Sequence, residues 1–71
     1  MTSSGEITPL IEKLKTESGE LVFKISKLVS FIEGKPSISD AQVVLLNIQL
    51  RHMKHYSSCL NLRIDELQLT Y

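Results

Sequence analysis

The sequence predicts an all-α fold: an antiparallel two-helix hairpin that self-associates into a helical bundle or ring. Three observations carry this. Apolar residues recur at alternating intervals of four and three in two separate runs. A glycine–proline break, "EGKPS", divides the runs. The second run carries a second apolar face, which a lone hairpin leaves uncovered.

The first element is a flexible start over residues 1–7. Thr8 followed by Pro9 is a helix-start signal, with a hydroxyl to cap and a proline whose missing N–H costs nothing at the first helical position. A helix over about residues 9–33 follows. Its seam is Ile7, Ile11, Leu14, Ser18, Leu21, Ile25, Leu28 and Ile32, with one polar break. Gly19 weakens it by about 1 kcal/mol relative to alanine. Glu12, Lys15, Glu20, Lys24 and Lys27 leave the outer face charged and solvated.

The turn occupies residues 34–38. Gly34 suits a left-handed position at the helix C-terminus, and Pro36 stops continuation. "ISDAQV" then opens the second helix, over about residues 39–70. Ser39 and Gln42 make a capping box, and Ile38 with Val43 a hydrophobic staple. At about 1.5 Å per residue this helix spans roughly 45 Å. Its seam is Leu46, Leu50, Met53, Ser57, Leu60, Ile64, Leu67 and Tyr71. Folding about the turn sets Ile32 near Leu46, Ile25 near Met53, Leu21 near Ser57 and Ser18 near Leu60. Each serine faces a leucine, so small meets large at both levels. The whole hairpin is one domain over residues 8–71.

Self-association follows from what one hairpin cannot bury. At about 100° per residue, Val44, Leu45, Ile48, His52, His55, Cys59 and Leu62 lie well away from the seam. Asn47, Arg51, Lys54, Ser58, Asn61, Asp65 and Gln68 form a narrow solvent strip between the two faces. A second copy covering Val44, Leu45, Ile48, His52, Cys59 and Leu62 is the most economical solution, so a homo-oligomer is expected. A chain of 71 residues points the same way, because so short a chain rarely builds a sufficient core alone.

Composition excludes several partners. Cys59 is the only cysteine, so no internal disulfide forms, and a single thiol fits a reducing cytoplasm. Eight basic residues balance eight acidic ones, leaving no electrostatic case for duplex nucleic acid or an anionic membrane. No apolar run approaches the ~20 residues of a membrane span. "MTSSGE" lacks the basic and apolar regions of a signal peptide.

The densest reactive stretch is "RHMKHYSSC", Arg51 to Cys59. His52, His55 and Cys59 share a helix face at ligand-like spacing. Structural zinc needs four ligands, and a symmetric dimer could complete the shell, but soft residues flanking an interface are more often packing, so no metal and no cofactor is expected. Cys59 and His55 are one turn apart, but no third orienting group, glycine-rich oxyanion loop or paired carboxylates accompany them. No enzyme is expected. What remains is a donor cluster, Arg51, Lys54, His55 and Ser58, with Tyr56 close by to stack on a base. These residues suit a phosphate-bearing ligand, held by charge-assisted hydrogen bonds beside a subunit interface. Taken singly, Arg51 and Lys54 read as solvated strip and Tyr56 as the edge of the seam. Arg63 on the flank reads as a structural partner for a glutamate of a neighbouring chain.

The residues Leu21, Lys24, Ile25, Lys27, Leu28, Phe31 and Ile32, a short loop, then Gln42, Leu45, Leu46, Gln49, Leu50, Met53, Tyr56, Ser57, Leu60, Arg63 and Ile64 resemble a group of short bacteriophage helical-hairpin proteins. The similarity covers about residues 10–67. "QLxxMxxYSxxLxxRI", Gln49 to Ile64, is its most specific portion, and the neutral charge and less acidic loop are departures. The layout also resembles phage counter-defence proteins that hold immune signalling nucleotides between subunits without cleaving them. These resemblances imply a phage-encoded binding protein in the host bacterial cytoplasm, an oligomeric sponge for a cyclic or other nucleotide-derived immune signal. The alternative is a small module that binds a host protein through the second apolar face. A third reading is a plain structural oligomer.

Overall fold

Burial decides where the first helix begins, and a local cap decides where the second one does. The computed structural model describes residues 4–71, which form two helices with no strand among them. Helix α1 spans Ser4–Glu33 and α2 spans Asp40–Thr70. They pack along each other into a rod of 53 × 15 × 13 Å.

The start of α1 differs from the expected one. Residues 1–3 of the expected flexible segment lie outside the described residues. Residues 4–7 are helical, so Thr8 is not a cap and Pro9 sits inside the helix. Proline in a helix interior costs about 3 kcal/mol. Burying an isoleucine returns roughly 1.5–3 kcal/mol, and Ile7, in the turn before Pro9, is 7% exposed. The two effects are of similar size, which allows the helix to reach back past the proline.

The turn also departs in detail. The Gly34 N–H donates to the Ser30 carbonyl at 3.0 Å, so helical bonding runs on through the glycine. The left-handed residue is instead Lys35, with φ of 51°, whose N–H donates to the Ile32 carbonyl at 3.1 Å. A Cβ on Gly34 would stand 3.4 Å from the Ser30 carbonyl oxygen, an ordinary contact. A non-glycine residue in that region is strained by about 1–2 kcal/mol. Lys35→Gly is therefore expected to raise stability by about 0.5–1 kcal/mol in thermal denaturation, after the greater freedom of glycine in the unfolded chain is subtracted.

Beyond the turn the Ser39 half of the expected capping box is present. Ser39 caps α2 with extended backbone (φ −66°, ψ 154°), and its Oγ accepts from the Gln42 N–H at 3.2 Å. Asp40 places negative charge at the positive end of the helix dipole. At the other end the Tyr71 N–H donates to the Leu67 carbonyl at 3.0 Å.

The seam is the one the spacing predicts. Every seam position of α1 is buried or half-buried, and so is every seam position of α2 except Tyr71. Leu14, Leu21, Leu60 and Ile64 form the core, with Leu10, Ile11, Ile25, Met53 and Leu67 packed against them. This core lies in the half of the rod away from the turn. Toward the turn, Leu28, Ile32, Leu46 and Leu50 are only half-buried. Two polar ties flank the seam. The Ser18 hydroxyl donates to Asn61 Oδ1 at 3.1 Å, and the Tyr56 hydroxyl donates to the Glu17 carboxylate. Asn61 thus reaches back to α1 instead of belonging wholly to the solvent strip, and its bond sets a register within one residue of the Ser18–Leu60 pairing.

Gly19 occupies open space, with nothing within 4 Å of where its Cβ would stand. Gly19→Ala is expected to stabilise the hairpin by about 1 kcal/mol, through helix propensity and a less flexible unfolded chain. Urea denaturation measures it, and a neutral or negative change would mean that α1 is already broken at this point.

Candidate functional site

The candidate site is built on the flank of α2, whose unbroken run from Asp40 to Thr70 fixes the spacing of its side chains. Residues three and four apart on a helix are neighbours. Asn47, Leu50, Arg51, Lys54 and His55 accordingly line one shallow depression of about 340 Å³. Asn47 is held by its own side chain, whose amide nitrogen donates to the Val43 carbonyl at 2.9 Å. Leu50 is half-buried on the seam and supplies an apolar floor. Arg51, Lys54 and His55 are exposed, so their donors are free to meet a ligand at little desolvation cost.

Three of the five predicted ligand residues therefore come together: Arg51, Lys54 and His55. Ser58 is exposed one turn farther along and does not line the depression. Tyr56 is not brought to it. Its hydroxyl is engaged by Glu17 on α1, on the opposite edge of the helix from Arg51 and Lys54. Reading Tyr56 as a neighbour of the cluster follows the sequence as a line; the helical turn separates them by more than a quarter of a revolution.

The Tyr56–Glu17 bond has a measurable consequence. It raises the Tyr56 pKa above the ordinary value of 10.0, with partial desolvation and the Glu17 charge adding to the effect and nearby Arg63 opposing it. A raised folded-state value means the tie contributes fully below the unfolded-state pKa and is lost as pH climbs through the folded one. Hairpin stability is expected to fall as the solution passes above pH 10.0. In Tyr56→Phe the tyrosine-dependent part of that fall disappears, and comparing the two melting curves across the alkaline range checks it.

The predicted interface residues remain uncovered in the single chain. Val44, Leu45 and Leu62 are 58%, 56% and 69% exposed, His52 and Cys59 are exposed, and Ile48 is half-buried. On the far edge of this face, Leu10, Cys59, Leu62, Arg63, Glu66 and Leu67 line a second groove of about 330 Å³. Arg63 thus shares its groove with Glu66 of its own helix. Among the described residues, no group of three or more His, Cys, Asp or Glu side chains is placed to hold a metal ion.

Sequence reasoning missed exposed apolar residues on α1. Val22, Phe23 and Phe31 stand clear of the seam, and the Lys27 ammonium lies 4.6 Å from the centre of the Phe23 ring. Their angular distance from the seam was available from the spacing, but the charged neighbours of α1 drew them into a face taken as solvated. Leu50 and Asn47 were likewise assigned to seam and strip, although both line the depression.

Comparison with protein families resolves the class of molecule. A family model described as Sequestin matches residues 8–66, most of both helices and the whole turn. The chain belongs to the Sequestin family. The name is that of a sequestering protein, which suggests binding. No curated protein and no solved structure matches the chain. In this Sequestin chain no helix among the described residues is long and apolar enough to cross a membrane.

Proposed function

We propose that this Sequestin chain is a phage-encoded, non-enzymatic sponge. It assembles as an oligomer in the host cytoplasm and antagonises host defence by sequestering a cyclic or other nucleotide-derived immune signal. The observation that carries the reading is the convergence of Arg51, Lys54 and His55 in one depression, in a chain of a family named for sequestration. Two bases beside an imidazole and an apolar floor match a ligand with phosphate at one end and a ring at the other. The depression is too shallow in a single chain to enclose such a ligand, and the uncovered apolar face beside it is where a second subunit would complete the wall.

Isothermal titration calorimetry with cyclic di- and trinucleotides and other nucleotide-derived signals tests this. Saturable heat at one ligand per chain or per two chains is expected, with the ligand recovered intact after denaturation. No heat with any such ligand overturns the reading, and recovery of a cleaved product overturns its non-enzymatic part. The exposure of Val44, Leu45 and Leu62 also favours a second reading, a module that docks on a host protein through this face. That version predicts a chain that stays monomeric alone and forms a stoichiometric complex with one purified host protein.

A further inference from the structure

The outer face of α2 has a symmetry of its own. Leu45, Ile48, His52, His55, Cys59 and Leu62 follow one another at intervals of three and four without a break, a strict heptad seam distinct from the one that packs on α1. These six pair off about the point between Met53 and Lys54: His52 with His55, Ile48 with Cys59, Leu45 with Leu62. A seam that reads the same from both ends is self-complementary under a two-fold rotation, which is what an isologous contact requires.

We propose that a second copy of this chain docks antiparallel along this face, each α2 lying against the other with His52 of one copy opposite His55 of its mate. The inference rests on the self-associating part of the reading above, and it gives His55 a place in the seam as well as in the ligand cluster.

Surface area supports it. The chain exposes 5412 Å². A compact monomer of 8.0 kDa exposes about 4,450 Å². The excess, about 1,000 Å², is close to the ~800 Å² per partner that a stable interface covers. The flanks are compatible as well. In this register Arg51 stands across from Ser58 of the second copy and Val44 across from Asp65, so no like charges are opposed on that side. On the other side Tyr56 meets Gln49. The two-fold axis emerges through the flank that carries Arg51, so the basic clusters of both copies border one shared groove.

The central layers are polar. Neutral imidazoles on the axis can hydrogen-bond to each other, one donating and one accepting, and a polar layer at the centre of an apolar seam fixes register at some cost in stability.

Site-directed cross-linking tests the register. Cys59 faces Ile48 of the mate, while the two Cys59 thiols stand about 16 Å apart along the axis. The wild-type chain should therefore resist oxidation to a covalent dimer, whereas Ile48→Cys should form one through disulfides between positions 48 and 59 of different chains, identified by peptide mapping. Ready Cys59–Cys59 linkage in the wild type would overturn the antiparallel arrangement. An oligomer by light scattering that yields no 48–59 disulfide overturns this register while leaving self-association standing; a monomer at every concentration overturns both. Sedimentation of His52→Leu/His55→Leu reads the central layer. Replacing a polar layer by an apolar one should tighten association about tenfold or more. An unchanged dissociation constant in the variant would place the histidines outside the contact.

Discussion

Leu60→Ala is expected to lower the stability of the hairpin by about 3 kcal/mol or more, the largest effect of any single truncation in the chain. Leu60 has no exposed surface at all, and it lies in the core with Leu14, Leu21 and Ile64. Removing three carbons there forfeits the transfer energy of the lost surface and leaves a cavity that two rigid helices cannot close. A chain of this size has only a few kcal/mol in hand. The variant should therefore melt far below the wild type by circular dichroism, or lack a cooperative transition at low protein concentration. Leu62→Ala, two positions along at 69% exposure, provides the contrast and should leave the monomer nearly unaffected. Similar losses at both positions would mean that Leu60 does not sit between the helices.

The second large effect concerns binding. If the proposed ligand is a nucleotide, the paired substitution Arg51→Ala/Lys54→Ala is expected to weaken its binding by about a hundredfold or more. Each charge-assisted hydrogen bond to phosphate contributes roughly 1.5–3 kcal/mol, and about 1.4 kcal/mol is tenfold in affinity. Both side chains are exposed, so the melting temperature should hold while calorimetry records the loss. Arg51→Lys keeps the charge but gives up the planar fork, and an intermediate loss would indicate two-point contact with phosphate. Undiminished affinity in the double variant would remove this depression from consideration as the ligand site.

Much of the architecture was legible because it is periodic. The alternation of three and four that places Leu14 with Leu21, and Leu60 with Ile64, is a consequence of helical geometry acting on side-chain hydrophobicity, so the buried faces could be read directly. The cap at Ser39 was legible for a different reason, since it depends on residues only three apart. Features that depend on competition between two terms were not. Pro9 signals a helix start and Ile7 pulls the helix beyond it; the outcome turns on burial, which the sequence does not display. The same holds at the turn, where the left-handed residue is Lys35 although Gly34 tolerates that conformation better.

The candidate site was legible in part. Arg51, Lys54 and His55 follow from spacing along one helix and do meet. The bond that draws Tyr56 to α1 was not legible, because its partner, Glu17, lies 39 positions away in sequence and no local pattern marks a bond across the hairpin. Phe23 and Phe31 show the converse difficulty. A charged neighbourhood masks apolar residues that stay largely exposed on the single chain.

The position of the core has a mechanical consequence. Leu14, Leu60 and Ile64 lie toward the open end of the hairpin, where α1 begins and α2 finishes, while the layers nearer the turn are only half-buried. A load drawn between the free ends of the two helices would peel them apart from that mouth, meeting the buried layers before the half-buried ones near the turn. Once these part, each successive layer resists less, so opening under tension would be a single abrupt rupture instead of a graded unzipping. The hairpin is fastened at its mouth, and its hinge is the looser end.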